Sequence, residues 1–302
     1  MEEMTTGLCP KCGHTLQIPA ELERFSCMYC GERLTKRQLL TQPEEASCSE
    51  EDCAVSFDHA VSRLGWCVQN FRGYQKKILR DAFFEAFETY ETGCAPVIQE
   101  LNSGVRPERQ TELLDRAAEA MLDELSAGWE KKNDMEDEKV ILAIFFVPMV
   151  RKLQLPVSEE FVSLLQKKWV GRYPKSPFYL GDYESISGGF RKKFLGLCFI
   201  TTAVCQELGK PDDCAELTAF RAFRDGYLAA QPDGEALIRE YYNIAPGIVT
   251  CINTCSDRHA SYERIREQYL TPCYEDLLAG RNADCKTRYV QMVRDLERKY
   301  LN

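Results

Sequence analysis

The residues with the clearest chemistry are four cysteines near the N-terminus, arranged as two C-x-x-C pairs. Cys9 and Cys12 form the first pair and Cys27 and Cys30 the second, with fourteen residues between the pairs and a glycine after each. A two-residue gap turns both sulfurs of a pair toward one point, and the following glycine accepts the positive φ that such a turn needs. Two matched pairs complete a closed tetrahedral thiolate site for one structural Zn²⁺. A redox-active C-x-x-C pair is the alternative, but it would not need a second pair.

The segment around these cysteines, about residues 7–34, resembles the zinc-ribbon family in its paired spacing and turn glycines. A segment this short cannot build a hydrophobic core, so the resemblance implies that bound zinc supplies its folding energy. Zinc ribbons bind DNA, RNA or protein, or stabilise a terminus. Residues 9–37 carry five basic and three acidic side chains, which the negative charge of a zinc tetrathiolate brings close to neutral. This balance disfavours a nucleic-acid partner and favours a protein partner.

The other cysteines are expected to be reduced thiols or metal ligands. The chain has fifteen cysteines and opens with MEEMTTG, which is not a secretory signal. The favoured interpretation is that they lie in the core, since free cysteine packs like a small hydrophobic residue. The alternatives are a second metal or cofactor site and a reactive thiol. Five C-terminal cysteines are the candidates for these alternatives: Cys198, Cys205, Cys214, Cys273 and Cys285.

Three short blocks follow one another in the C-terminal region, namely CFITTA at 198–203, FRAFRD at 220–225 and YYNIAP at 241–246. In this order they resemble the bacterial CFI-box family, over about residues 194–252. The resemblance implies a bacterial source and a packed helical unit, and it supplies no reaction. Some fifty residues with helical periodicity follow the last block, which argues against a bare terminal tag.

Polar side chains within these blocks have two interpretations. Arg221 and Arg224 lie about one helical turn apart, beside an apolar stripe, and Tyr241 and Tyr242 point in different directions. The favoured interpretation is a structural network in which a buried arginine pairs with a carboxylate and a buried tyrosine hydroxyl is hydrogen bonded. The alternative is a site for an anion or a small ligand, formed by Arg221, Arg224, Tyr242 and Cys198.

Hydrophobic periodicity predicts a mainly α fold, with a small N-terminal zinc-ribbon β element followed by a multi-helix body in two helical parts. The expected organisation is a zinc ribbon at 1–37, a polar and acidic linker at 38–56, a helical domain at 57–180 and a helical CFI-box-like domain at 181–302. Clustered prolines and glycines set the last boundary.

Two of the expected helices have distinctive compositions. Residues 138–153 are apolar nearly all round, which is typical of a central, buried helix. A helix that begins near Asp233 is predicted to break at Pro246. The longest apolar run, 140–150, is too short to span a bilayer and contains a proline. Together with the missing signal, this predicts a cytoplasmic protein without a membrane span.

These features leave three functions open. The favoured one is a zinc-binding cytoplasmic bacterial protein that acts as an interaction or scaffold module, with protein partners bound through the ribbon or the helical body. The alternative is an enzyme, or a cofactor- or metal-binding protein, with a cysteine-lined site in the C-terminal helices. A nucleic-acid-associated regulator is a second alternative, which the net charge of −9 disfavours.

Overall fold

The chain folds as two compact units, Met1–Cys53 and Ala54–Asn302. The structure is a computed structural model, and it describes residues 4–9, 15–29, 31–36, 39, 49–131, 133–191, 198–255 and 257–302. Within these ranges, the named strands all fall in the first unit, and the second unit is helical. The predicted mainly α fold with a small N-terminal β element is therefore confirmed.

The first unit contains two short antiparallel hairpins. Strand β1 (Met4–Leu8) pairs with β2 (Thr15–Pro19), and β3 (Arg24–Ser26) pairs with β4 (Arg33–Thr35). Side chains alternate along β2, so that every second residue enters a small core. The buried members of that core are Cys9, Leu16, Cys27 and Leu34. Two thiols thus make up half of the buried set, as expected for a unit too small to fold on apolar burial alone.

The helices follow one another along the chain, and the first of them begins at the end of the first unit and continues into the second. The helices are α1 Glu50–Leu64, α2 Trp66–Gln69, α3 Phe83–Gly104, α4 Gln110–Ala127, α5 Asp134–Ile141, α6 Val147–Lys152, α7 Ser158–Arg172, α8 Tyr183–Arg191, α9 Phe199–Glu207, α10 Ala215–Ala222, α11 Gly234–Asn253, α12 Arg258–Ile265, α13 Thr271–Leu278 and α14 Asn282–Tyr300. The 3₁₀ turns are Tyr74–Lys77 and Pro107–Arg109, and the π-helical turns are Leu142–Phe146, Phe223–Leu228 and Arg266–Leu270.

A continuous helical rod formed by α5, a π-helical turn and α6 lies at the centre of the second unit. Side chains from Ile141 to Val150 are almost completely buried, which confirms the predicted central helix. The ring of Phe145 lies 5.5 Å from that of Tyr90 and 5.6 Å from that of Tyr74. Across the described ranges, no helix combines the length and the apolar character that crossing a bilayer requires.

The two predicted helical parts, 57–180 and 181–302, share one core rather than forming two compact units. A Cβ atom added to Gly247 on α11 would lie 1.8 Å from the carbonyl oxygen of Ile78, so the two backbones nearly touch. The backbone N–H of Arg80 also donates to the carbonyl of Asn243, at 3.0 Å. The expected boundary near residue 180 is therefore a loop inside one unit, because contacts between distant segments outweigh local turn residues.

Helix α11 runs through Pro246 without interruption, so the predicted break there is wrong. A proline inside a helix removes one backbone donor and costs about 3 kcal/mol. Its neighbours Ala245 and Ile248 are fully buried, and the contact of Gly247 with Ile78 exists only if the helix continues. Tertiary packing thus overrides the local preference.

The acidic end of the predicted linker, 38–56, belongs to a helix. Residues 40–48 of the predicted linker lie outside the described ranges, and α1 begins at Glu50. The backbone N–H of Asp52 donates to the Ser49 hydroxyl at 3.1 Å, which caps the helix. Acidic side chains in a first turn interact favourably with the helix dipole, so a charge cluster that resembles a linker is a helix start here.

Candidate functional site

Two of the four predicted zinc ligands lie in the described part of the first unit. Cys9 follows strand β1 directly and Cys27 follows β3 directly, so each stands where its hairpin begins to turn. Both are buried in the small core of that unit. Cys12 and Cys30 lie outside the described residues, and in the sequence each falls between the two strands of its own hairpin. The strand order therefore gives both pairs equivalent positions.

The second hairpin turns tightly after Cys27. The backbone N–H of Gly31 donates to the carbonyl of Cys27 at 2.8 Å, and the N–H of Cys27 donates to the carbonyl of Glu32, also at 2.8 Å. Gly31 has a φ of +72°, which confirms the positive φ predicted for the glycine after a pair. Gly13, the equivalent residue of the first pair, lies outside the described ranges.

The donor chemistry of this turn fits zinc. Buried cysteine thiols are soft ligands of the type that structural zinc sites use, and the hairpins bring one from each pair into a common core. Within the described ranges, no group of three or more His, Cys, Asp or Glu residues forms a metal cluster. Two of the four predicted ribbon ligands lie outside those ranges.

Large apolar side chains lie on the surface of the turn that follows Cys27. Met28 is 78% exposed and Tyr29 is 57% exposed, although both lie in the middle of a C-x-x-C pair. Nothing in the spacing of the cysteines indicates that the two residues between them are exposed. We call Met28 and Tyr29 the ribbon tip.

In the second unit, Arg224 is the centre of a buried polar junction. Its Nη1 donates to the hydroxyl of Tyr242 at 3.1 Å and lies 3.6 Å from the Sγ of Cys198. Its Nε and Nη2 donate to the two carboxylate oxygens of Asp225, at 2.6 and 2.8 Å. The structure therefore brings together three of the four residues predicted for a polar network or ligand site.

The fourth predicted residue, Arg221, lies elsewhere. Its Nη1 and Nη2 donate to the backbone carbonyl and the carboxylate of Asp212, both at 2.8 Å. This pair fixes the loop before α10, so Arg221 uses these hydrogen bonds outside the junction. Its charge still acts on the Cys198 thiol and, together with that of Arg224, opposes the rise in the pKa of that thiol.

A row of hydroxyls connects the junction to the start of α9. The backbone N–H of Ile200 donates to the hydroxyl of Tyr241 at 2.9 Å, which satisfies one of the open amides of that helix end. The hydroxyl of Tyr289 lies 3.4 Å from that of Tyr241 and 3.2 Å from the Oγ1 of Thr201. Sequence reasoning missed Tyr289, whose only signal was its place on the apolar stripe of the last helix.

Burial and charge keep these groups in their ordinary protonation states. Burial raises the pKa of the Cys198 thiol, against the opposing effect of Arg224. Burial also raises the pKa of Tyr241 far above its usual range. Hydrogen bonding to Arg224 lowers the pKa of Asp225. At neutral pH the junction holds a charged pair and neutral thiol and phenol groups, an arrangement suited to holding helices together rather than to activating Cys198.

A cavity of about 60 Å³ adjoins the junction. It is lined by Cys198, Arg224 and Tyr241 together with apolar side chains, and Glu240 and Arg294 also border it. This volume holds a few water molecules and is smaller than the roughly 150 Å³ of a cavity that accepts benzene. The junction therefore has room for solvent rather than for a cofactor.

The five cysteines proposed for a second site do not converge. Cys198 contacts Arg224, the Sγ atoms of Cys205 and Cys214 lie 3.8 Å apart, and the Sγ of Cys273 lies 3.9 Å from the carbonyl oxygen of Cys285. In the described part of the chain no three of them come together with other His, Cys, Asp or Glu residues as a metal-binding group. Cys198, Cys205, Cys273 and Cys285 are buried, as the core interpretation predicted.

No family model, curated protein or solved structure matches this chain. The resemblances to zinc ribbons and to the CFI-box family stay predictions that depend on the motifs in the sequence.

Proposed function

We propose that this chain is a zinc-binding interaction protein, in which a zinc-closed ribbon presents an apolar tip to a protein partner and the helical unit serves as the scaffold. The observation that carries the proposal is the exposure of Met28 and Tyr29 directly after the buried Cys27. The bacterial source and the cytoplasmic location expected from the sequence belong to the same proposal.

Zinc has a structural role in this proposal. Cys9, Cys12, Cys27 and Cys30 would hold one Zn²⁺, and the ion would supply folding energy to a unit whose described residues form only a small apolar core. A four-thiolate site has no open coordination position, so the metal is not assigned a reaction. The tight turn closed by Gly31 then keeps the ribbon tip rigid.

The ribbon tip has the chemistry of a protein-binding anchor. Methionine and tyrosine are enriched at protein interfaces. Tyrosine offers a large contact area at a small cost in side-chain entropy, and methionine adapts its shape to an irregular apolar surface. Their exposure on a rigid turn means that little ordering is needed on binding. The near-neutral charge of the module gives nucleic acid little to attract it, which supports a protein partner over DNA or RNA.

Buried thiols support the scaffold role of the helical unit. Burial raises the pKa of Cys251 as well as that of Cys198, so both are protonated and poorly nucleophilic at neutral pH. Polar groups at the Arg224 junction use their hydrogen bonds to hold α9, the π-helical turn Phe223–Leu228 and α11 together. A rigid body of this kind suits a protein that holds its partner in place.

The test places a photo-crosslinking amino acid at position 29 of the full chain in bacterial cells, with Gln17 on the exposed face of β2 as the matched position. We expect a discrete protein adduct from position 29 and not from position 17, and its loss in the Cys9→Ser variant. With the identified protein, the double change Met28→Ser and Tyr29→Ser should weaken binding by roughly ten-fold or more, since two large apolar contacts are lost.

Two results would contradict the interaction role. One is the same set of adducts from both positions, which would mean that position 29 makes no specific contact. The other is binding of DNA or RNA by the purified full chain that falls steeply with salt, which would favour the regulator.

A further inference from the structure

Cys205 and Cys214 form a close pair of thiols between two helices of the second unit. Cys205 lies near the end of α9, Cys214 is the residue before α10, and their Sγ atoms are 3.8 Å apart. A disulfide bond needs about 2.05 Å between the two sulfurs. The two sulfurs are therefore within about 2 Å of bonding distance.

The loop between these cysteines is held in place at both ends. Helix α9 ends in a Schellman motif, in which Gly209 has a φ of +68° and the backbone N–H of Lys210 donates to the carbonyl of Cys205 at 2.8 Å. At the other end, Arg221 binds the side chain and the backbone of Asp212. These contacts preorganise both thiols.

A cleft of about 180 Å³ opens beside Cys205 and is also lined by Lys210, Glu216 and Arg266. Lys210 forms an ion pair with Glu216. The Nε of Arg266 is buried and has no hydrogen-bond partner among the residues that the structure describes. The rest of the Arg266 side chain is partly exposed, and its Nη2 lies 3.4 Å from the Glu267 carboxylate. The open Nε–H beside the sulfur pair is a donor that the carboxylate of a small molecule can use.

We propose that Cys205 and Cys214 form a dithiol site that reacts with small anionic disulfides and closes to an intramolecular disulfide. Cys214 is the more exposed thiol and attacks first. A carboxylate of the small molecule binds the Arg266 side of the cleft, next to the sulfur pair. This site is independent of the ribbon and goes beyond the proposed interaction role.

The chemistry balances in two exchange steps. The thiolate of Cys214 attacks one sulfur of the small disulfide, which forms a mixed disulfide and releases one small thiolate. The thiolate of Cys205 then attacks the Sγ of Cys214 and displaces the second small thiolate. Two protein thiols are oxidised by two electrons, the small disulfide is reduced to two thiols, and the two protein protons go to the released thiolates.

Cys205 is too buried to meet the small disulfide first, but its sulfur lies 3.8 Å from that of Cys214 and so reaches the mixed disulfide once it has formed. Burial and the neighbouring thiol raise the pKa of Cys205 to about 12, so that it is protonated in the resting protein. Two other close pairs, Cys67 with Cys94 and Cys273 with Cys285, are fully buried at both members. They need local unfolding before any reagent reaches them, and so they serve as internal controls.

The test treats the reduced full chain with glutathione disulfide, quenches it with an alkylating reagent at set times and measures each disulfide-linked peptide by mass spectrometry. We expect the Cys205–Cys214 peptide to form about ten-fold or more faster than the two buried pairs. In Cys205→Ser, Cys214 should accumulate as a mixed disulfide with glutathione, because the resolving thiol is missing. Cys255→Ser, at a half-buried thiol elsewhere, should react like the unmodified chain.

A separate experiment tests the preference for anionic over neutral disulfides. Arg266→Met should slow the reaction with glutathione disulfide by roughly ten-fold and leave the reaction with neutral 2-hydroxyethyl disulfide unchanged. Equal slowing with both reagents would overturn the assignment of Arg266. The dithiol site itself is refuted if Cys205 and Cys214 stay reduced while the buried pairs oxidise, or if Cys214 gains no adduct in Cys205→Ser.

Discussion

At the scale of single residues, the hydrogen-bond network around Arg224 could be predicted only in part from the sequence. The sequence placed Arg224, Tyr242 and Cys198 as candidates for one polar group, and the structure joins all three. It could not choose between Arg221 and Arg224, because both lie beside the same helical stripe and only tertiary packing decides which one is buried. The contact of Thr201 with Tyr289 spans 88 residues, a distance at which no local pattern is informative.

A pair of matched substitutions separates the two arginines. Arg224→Met should lower the free energy of unfolding by about 2–4 kcal/mol, because it leaves the Tyr242 hydroxyl and the Cys198 thiol without their buried donor. Arg221→Met should cost less than about 1 kcal/mol, because its partner Asp212 is mostly exposed. Urea unfolding followed by circular dichroism measures both. Equal losses would mean that the Arg224 junction does not stabilise the helical unit.

At the scale of elements, apolar periodicity located the buried central helix correctly. Proline and clustered acids did not locate the ends of helices. The apolar run at 140–150 predicted a buried helix, and it lies at the centre of the second unit. Pro246 was expected to end a helix, but α11 continues because its neighbours are buried against the segment around Ile78. The acidic composition from Glu50 on predicts a linker, but these residues begin a helix, since a capped helix start and a solvated linker share the same composition.

Helix α11 approaches the backbone of Ile78 closely at Gly247, so an alanine there should have the opposite effect on stability from an alanine at the open position Gly171. Gly247→Ala should destabilise the protein by about 3 kcal/mol or more, since the added methyl meets a backbone oxygen at 1.8 Å that cannot move aside. Gly171→Ala on α7 meets open space and should stabilise the helix by about 0.5–1 kcal/mol. Thermal unfolding of the two variants checks the signs. A neutral Gly247→Ala would mean that α11 does not pack on Ile78 as described.

At the scale of the whole molecule, the sequence predicts a small N-terminal β element before a helical body, and the structure has both. It also predicts two helical domains, whereas the helical body is one compact unit. Cysteine spacing is a local signal, and the two hairpins lie where that spacing placed the ribbon. The helical body is one unit because residues such as Asn243 and Arg80, far apart in the chain, bond across the expected boundary. Local composition holds no information on such contacts, so the boundary near residue 180 was not a domain boundary.

The measurement that tests the central claim most directly is the zinc content of the purified, reduced full chain, by elemental analysis against protein concentration. We predict one zinc per chain, its loss in the double change Cys9→Ser and Cys27→Ser, and full retention in Cys214→Ser, a thiol outside the ribbon. Removal of zinc by a chelator should unfold the first unit and leave the helical signal of the second unchanged. Zinc that stays bound when Cys9 and Cys27 are both replaced would contradict the zinc ribbon.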